Sequence, residues 1–174
     1  MLPEVKKVTG EELEECIFKA RCKLYRFRDD QWKERGTGNG KLLRNKETKK
    51  VRFVMRQEKT LKPVANFILQ EAPLCELMPM KNTDKAYIWS CNDFTGEEPR
   101  LEKLAARFQT VENTTLFKEA FSAAQKFNNL VREGKTEELV FAPAIEDKEE
   151  VLVDDADNNK TAGEDKEEGD GDDQ

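Results

Sequence analysis

The side chains best suited to bind a partner in this 174-residue chain are the arginines and lysines of its first half. Residues 19–62 carry 16 basic and 5 acidic side chains, so this basic segment has a net charge of +11. Within it, Arg52 and Arg56 lie an even number of residues apart in an alternating stretch, which places both on one face of the predicted strand. Each guanidinium could donate paired hydrogen bonds to a carboxylate, and the pattern therefore predicts a site for an acidic ligand.

The acidic end of the chain restricts which ligand the basic segment can take. Residues 143–174 hold 14 acidic and 3 basic side chains, whereas the whole chain carries a net charge of only −6. These acidic groups would compete with nucleic-acid phosphates, and few aromatic residues interleave with the basic ones, which disfavours nucleic-acid binding. Three interpretations stay open: a site for an acidic protein segment, a site for a phosphoinositide headgroup, and a solvated, locally salt-bridged strand face.

The same inventory argues against catalysis. The chain has no histidine, the residue most often used as an acid, a base or a metal ligand. The glycine-rich stretch GTGNGK (residues 36–41) departs from a phosphate-binding P-loop at Arg35 and Leu42, and we interpret it as a flexible hairpin between strands. The clustered carboxylates of residues 11–15 offer no pair singled out for acid–base work. We therefore predict a binding module with no catalytic residue, no metal site and no cofactor of its own.

The four cysteines are expected to be reduced and structural. Cys16, Cys22, Cys75 and Cys91 form no Cys-x-x-Cys pair, and no histidine could complete a zinc site. Cys16 and Cys22 share the parity of apolar neighbours in an alternating segment, which predicts that they face a core.

Short alternating segments predict the elements that hold these side chains. Residues 16–24 alternate apolar and basic, and a change of parity after Leu24 predicts a bulge. Further strand-like segments cover residues 41–45, 51–56, 61–69, 74–80, 86–91 and 101–109. Pro63 marks its strand as an edge or a bulged one. Between residues 117 and 131 apolar positions recur every three or four residues, which predicts an amphipathic helix that ends at Gly134.

This order of elements predicts a mainly β fold with one C-terminal helix. Its outline is that of a pleckstrin-homology-like barrel of about seven antiparallel strands capped by the amphipathic helix. We divide the chain into an N-terminal arm (1–15), a barrel domain (16–134) and an acidic, disordered tail (135–174). No apolar run is long enough to span a bilayer and the first residues do not resemble a signal peptide, which favours a cytoplasmic protein.

Two motifs resemble those of a known family. WKERGTG (residues 32–38) and VMRQEKTLKPVAN (residues 54–66) are similar to the two signatures of the Ran-binding domain family. Further matches occur in order along the chain: LPEV (2–5), TGEE (9–12), FKAR (18–21), LYRF (24–27), AYIW (86–89), RF (107–108) and FK (117–118). Because the matches run over residues 2–133 and leave only the acidic tail, we expect a small, single-domain member of this family.

The resemblance implies a function as well as a fold. Members of the family bind the GTP-bound form of the small GTPase Ran and hold its acidic C-terminal segment on a basic surface, while an N-terminal arm reaches around the GTPase. They assist a GTPase-activating protein and the release of Ran-GTP from transport receptors, and they supply no catalytic residue. The resemblance therefore implies a free monomer that is cytoplasmic and shuttles through the nucleus, with GTP and magnesium carried by its partner.

The resemblance also assigns site residues. Contact with the GTPase is carried over to residues in and around the two motifs: Trp32, Lys33, Arg35, Arg52, Arg56, Lys59, Lys62 and Asn66. Contact by the arm is carried over to Leu2, Pro3 and Val5. Gln57 departs from the family pattern, in which a second basic residue is common. The alternative function is that of a phosphoinositide-binding module at a membrane surface.

Overall fold

Strands β1–β7 and one helix account for most of what the computed structural model describes, namely residues 11–135 and 145–146. The strands are β1 (Glu14–Arg28), β2 (Gln31–Asn45), β3 (Val51–Arg56), β4 (Pro63–Ile68), β5 (Met78–Pro79), β6 (Ala86–Asp93) and β7 (Arg100–Phe108). Helix α1 spans Val111–Arg132, and a two-residue strand, β8, covers Ile145–Glu146. The sheet order is β4-β3-β2-β1-β7-β6-β5, with antiparallel pairing throughout, and β8 adds to β1 in parallel.

The sheet curls into a barrel because β1 and β2 are long and bend. Asp29 and Asp30 both adopt positive φ angles, 59° and 61°, as in the tight turns that join twisted hairpins. The register of β1 on β2 shifts between Leu24 and Tyr25, which confirms the predicted bulge. Closure occurs between β4 and the end of β6, where Phe94 donates its backbone N–H to the Asn66 carbonyl at 2.8 Å.

Helix α1 fills one end of the barrel with aromatic rings. Thr110 caps the helix by accepting a hydrogen bond from the Asn113 amide, and Gly134, at φ 77°, follows its last turn. Phe117 and Phe121 are fully buried, and Phe127 is nearly so. Phe117 has ring contacts, with centroids 4.7–6.1 Å apart, to Phe18, Phe53, Trp89, Phe108 and Phe121. The helix-capped, pleckstrin-homology-like barrel is confirmed.

Two side-chain amides attach the helix to the barrel wall. Asn128, which is 5% exposed, accepts a hydrogen bond from the Val51 amide and donates to the carbonyls of Val51 and Leu69, each at 2.8–2.9 Å. Gln125 donates to the carbonyls of Gln70 and Cys75. These bonds satisfy backbone polar groups at the start of β3 and in the segment after β4, so they fix the orientation of the helix on the barrel.

The glycine-rich stretch is strand, and the expectation of a flexible hairpin there was wrong. Gly36, Gly38 and Gly40 all pair with β1 inside β2. The end of β3 crosses directly over this stretch, where Glu58 donates its backbone N–H to the Thr37 carbonyl. A Cβ on Gly38 would lie inside the van der Waals distance of the Arg56 carbonyl oxygen. Gly38 is therefore required by the close approach of two backbones, and Gly36 and Gly40 by closely packed side chains, rather than by flexibility.

Other boundaries differ in detail from the sequence-based ones. Strand β1 begins at Glu14, two residues before the predicted start of the barrel domain. The segment predicted at residues 74–80 keeps only Met78–Pro79 as strand. Pro63 opens β4, the edge strand, opposite a register shift at Arg56, as predicted. Within the described ranges, no helix has the length and apolarity needed to cross a membrane. Most of the predicted tail, and residues 1–10 of the predicted arm, lie outside the described residues.

Substituting Asn128 with alanine should destabilise the domain by about 2–4 kcal/mol, because the Val51 amide and the Leu69 carbonyl would lose a buried partner, whereas the Val51 carbonyl keeps its hydrogen bond from the Leu69 amide. The free energy of unfolding from urea titrations measures this. Lys126→Ala, at an exposed position of the same helix, is the matched control and should change stability by less than about 0.5 kcal/mol. An Asn128→Ala variant as stable as this control would contradict the role of the amide.

Gly38→Ala should destabilise by about 1–3 kcal/mol, since the added methyl group forces apart two backbone segments that cannot rotate away. Gly96→Ala provides the comparison, because a Cβ at Gly96 would meet no atom within 4 Å. Thermal unfolding followed by circular dichroism would show a clearly lower midpoint for the first variant alone. Equal unfolding midpoints for the two variants would mean that the two backbone segments at Gly38 can move apart without a loss of stability.

Candidate functional site

The outward side of β1, β2 and β3 forms a basic face. Alternation buries Phe18, Ala20, Cys22 and Leu24 in the barrel and turns the intervening side chains outward. The strand register then aligns Lys19 with Lys41 across the hairpin. We define the basic face by its six outward cations: Lys19, Arg21, Lys23, Lys41, Arg52 and Arg56.

Arg52 is held by a carboxylate from its own chain. Its Nε and Nη2 donate to the two carboxylate oxygens of Glu14, each at 2.8 Å, and its Nη1 donates to Asn66 Oδ1 at 2.9 Å. The Glu14 side chain is only 7% exposed, so this forked pair is largely shielded from water. Removing one partner of such a pair destabilises the protein, because the other charge is left buried and unpaired. Arg52 and Asn66 therefore support the structure of the site.

The ion pair of Arg56 is more exposed to solvent than that of Arg52. Its Nε donates to Glu11 Oε2 at 3.0 Å, and its Nη1 donates to the Leu61 carbonyl at 3.1 Å. The other oxygen of Glu11 lies 3.5 Å from Lys41 Nζ. Both predicted arginines thus bind carboxylates as their chemistry suggested, but the carboxylates are the chain's own. In the free protein, the interpretation as a locally salt-bridged strand face is the correct one.

A groove lies between these groups. It has a volume of about 240 Å³ and is lined by Glu11, Arg21, Gly38, Asn39, Lys41, Val54, Arg56, Glu58 and Leu61. Arg21 pairs with Glu58 at 2.7–2.8 Å on one side, and Arg56 with Lys41 holds Glu11 on the other. Leu61, at φ 63°, is more than half exposed at the rim. The groove has room for a ligand's side chains.

Sequence reasoning did not assign Arg21, Lys41, Glu11 or Leu61 to the site. Arg21 and Lys41 could have been found from alternation, because each lies between buried neighbours on β1 or β2. The ion pairs of Glu11 and Glu58 could not, because they join residues separated by 37 and 45 positions in the chain.

The first motif lies apart from the groove, at the far end of the β1–β2 hairpin. Trp32 packs edge-on against Phe27, with ring centroids 5.0 Å apart. Lys33 lies 3.2 Å from Asp29 across the turn. Arg35 lies instead near Asp93, with 3.6 Å between Nη2 and Oδ2. The structure therefore does not gather the predicted contact residues into one cluster.

Arg35 belongs to a set of charges at the barrel end away from α1. Glu102, which is 4% exposed, accepts from Arg28 at 2.8 Å and lies 3.8 Å from Arg26. Burial lowers the pKa of Arg26, and the positive charges of Arg35 and Arg28 lower it further. These pairings place charge inside the barrel mouth, which is consistent with a structural role for Arg35.

The remaining predicted residues are exposed or undescribed. Lys59 and Lys62 are exposed on the turn between β3 and β4, next to the groove residues Glu58 and Leu61. Leu2, Pro3 and Val5 lie outside the described residues, so contact by the arm stays a prediction. Gln57 accepts a hydrogen bond from the Thr37 amide at 3.1 Å, which gives this departure from the family pattern a structural role.

The cysteines are thiols and three of them are buried, as predicted for Cys22, while Cys16 is partly exposed. Burial raises the pKa of Cys22 to about 12 and that of Cys75 to about 11, so neither is a thiolate nucleophile at neutral pH. Among the described residues, no group of three or more acidic or cysteine side chains could hold a metal ion.

Comparison with known proteins places this geometry in a family. The family model described as the RanBP1 domain matches residues 4–127. A Dictyostelium discoideum protein named Ran-specific GTPase-activating protein homolog is 46% identical over 136 residues, which cover 74% of this chain and 69% of that one. The human E3 SUMO-protein ligase RanBP2 is 41% identical over 128 residues, which cover 72% of this chain but only 4% of the human protein.

The fold agrees with a solved structure. The Ran-binding domain of the nuclear complex component Nup2 from Ashbya gossypii superposes with a TM-score of 0.55 and 26% sequence identity, covering 66% of this chain and 97% of that domain. The resemblance stated for the two sequence motifs is therefore confirmed along most of the described barrel. With a family model matching residues 4–127 and a relative similar over two thirds of its own length, this chain belongs to the RanBP1 domain family.

Proposed function

We propose that this chain binds the GTP-bound form of Ran and captures the acidic C-terminal segment of the GTPase on the basic face. Membership of the RanBP1 domain family supports Ran as the partner. The groove is the observation that supports capture of an acidic segment, because Arg21, Lys41 and Arg56 line a space of about 240 Å³. Three cations converging on one open groove favour a ligand with several carboxylates over one with a single charge.

The ion pairs already present support a carboxylate ligand. Glu11 bridges Arg56 and Lys41, which shows that the spacing of these cations suits the two oxygens of one carboxylate. The basic face would also attract an acidic segment from a distance, because a cluster of like charges raises the association rate in a salt-dependent way. Lys59 and Lys62, exposed beside the groove, extend this attraction without a fixed geometry.

A second contact is proposed at the hairpin end. Trp32, of a residue type common at binding hot spots, and its neighbour Lys33 lie in β2 outside the groove, where Trp32 packs on Phe27 and Lys33 pairs with Asp29. Contact at two separate places would let the chain hold both the body and the acidic end of a GTPase. The arm residues Leu2, Pro3 and Val5 would add a third contact.

We propose that the chain has an assisting role in the GTPase cycle and not a catalytic one. The Dictyostelium relative is named as a GTPase-activating protein homolog, but this chain has no histidine and its groove arginines are engaged by carboxylates. We propose that it assists a separate GTPase-activating protein and the release of Ran-GTP from transport receptors, with GTP and magnesium carried by Ran. A monomeric chain in the cytoplasm that also passes through the nucleus would serve this role.

Arg56→Glu should weaken binding to Ran loaded with a GTP analogue by at least about tenfold, because it places a like charge against the acidic segment. The effect should disappear when the acidic C-terminal segment of Ran is removed. Calorimetric titration with GTP-analogue and GDP forms measures both. Lys126→Glu makes the same charge change on an exposed position of α1 and should leave affinity unchanged. Equal affinity of the wild type for the two nucleotide forms would contradict the proposal.

Deleting residues 147–174 should strengthen binding at low salt, and the gain should shrink as salt is added. Strand β8 pairs with Phe18 and Lys19 of β1, so Glu146 lies next to a residue of the basic face. Residues 147–174 hold 13 acidic and 3 basic side chains and would compete with the partner at high effective concentration. Affinities of the full and shortened chains at two salt concentrations test this, and identical values would show no competition.

A further inference from the structure

The groove on the basic face is already occupied by two carboxylates of the chain itself. Glu11 lies 3.0 Å from Arg56 and 3.5 Å from Lys41, and Glu58 lies 2.7 Å from Arg21. A partner's carboxylate can take the positions of Glu11 and Glu58 beside these cations only if the internal carboxylates move. Binding at this groove is therefore an exchange of one set of ion pairs for another.

The two pairs differ from the one made by Arg52 in ways that favour exchange. Glu14 lies within β1 and is 7% exposed, so its departure would disturb a strand. Glu11 precedes β1 and is 15% exposed, while Glu58 lies in the turn after β3 and is 38% exposed. Both lie outside the strands and can move with little disturbance of the sheet, and the pair made by Glu58, the more exposed of the two carboxylates, contributes little to stability. Arg52 and Glu14 thus form the fixed part of the basic face, and Glu11 and Glu58 the movable part.

Resting on the function proposed above, we propose that Glu11 and Glu58 occupy the groove in the free protein as substitutes for the partner's carboxylates and are displaced when an acidic segment binds. The two residues determine specificity by competition. A ligand with one carboxylate must displace an internal group that is held close by the chain, whereas a run of acidic residues brings several carboxylates to Arg21, Lys41 and Arg56 together. The groove therefore selects short polyacidic segments over isolated acidic side chains.

The proposal is tested with the full chain and the isosteric variants Glu11→Gln and Glu58→Gln, singly and together. Each should tighten binding of GTP-analogue-loaded Ran about two- to fivefold, because a competing internal ion pair is lost. Glu119→Gln, which makes the same change of net charge at an exposed position of α1, should leave affinity unchanged. The exchange is overturned if the Glu11→Gln and Glu58→Gln variants bind Ran no more tightly than Glu119→Gln does. If the wild type still requires the acidic end of Ran in that case, the proposed function stands without the exchange.

A second probe tests the exchange without Ran. A synthetic hexa-aspartate peptide titrated into the isotope-labelled chain should shift the Nε–Hε resonance of Arg56, and the apparent dissociation constant should fall in the Glu11→Gln variant. A single-carboxylate probe, acetate, should cause no comparable shift at matched carboxylate concentration. Equal peptide affinity for wild type and Glu11→Gln would reject the proposal, whether or not Ran itself binds.

Discussion

The packing of Phe117 against five aromatic rings inside the barrel is the interaction on which the rest of the structure depends. It requires the apolar side of each strand to face inward, since aromatic burial dominates the stability of a core of this size. With that side fixed, alternation along β1, β2 and β3 determines which side chains face outward, and the six cations of the basic face must lie on the outer side. The basic face is thus a consequence of core packing as much as of charge.

The six cations of the basic face repel one another, so carboxylates of the same chain are needed to balance them. These carboxylates differ in how far they are exposed to solvent. Glu14 gives Arg52 a shielded, forked pair, whereas Glu11 and Glu58 give Arg56, Lys41 and Arg21 more exposed ones. The difference separates residues that support the site from residues that can exchange partners. The backbone crossing at Gly38 contributes to the same site, because it brings the end of β3 and the following turn over β2 and so forms one wall of the groove.

Membership of the RanBP1 domain family and the geometry of the basic face support the same function from independent directions. The family rests on similarity along residues 4–127, and the geometry rests on three cations lining a single groove. The first motif and the groove lie at different places on the barrel, which suits a partner that offers both a folded body and a charged extension.

The amino-acid sequence by itself determined most of the elements and their order, with the first part of β2 and most of the segment predicted at residues 74–80 as the exceptions. Alternation predicted the bulge after Leu24 and the edge position of Pro63, and the helical stripe predicted the cap, because both signals depend on neighbours within a few residues. Only the tertiary structure decided which charges meet. Glu11 and Arg56 are 45 positions apart, and the glycines of β2 are explained by a strand that is distant in the chain. Long-range pairing follows from how the sheet closes, and no local pattern encodes it.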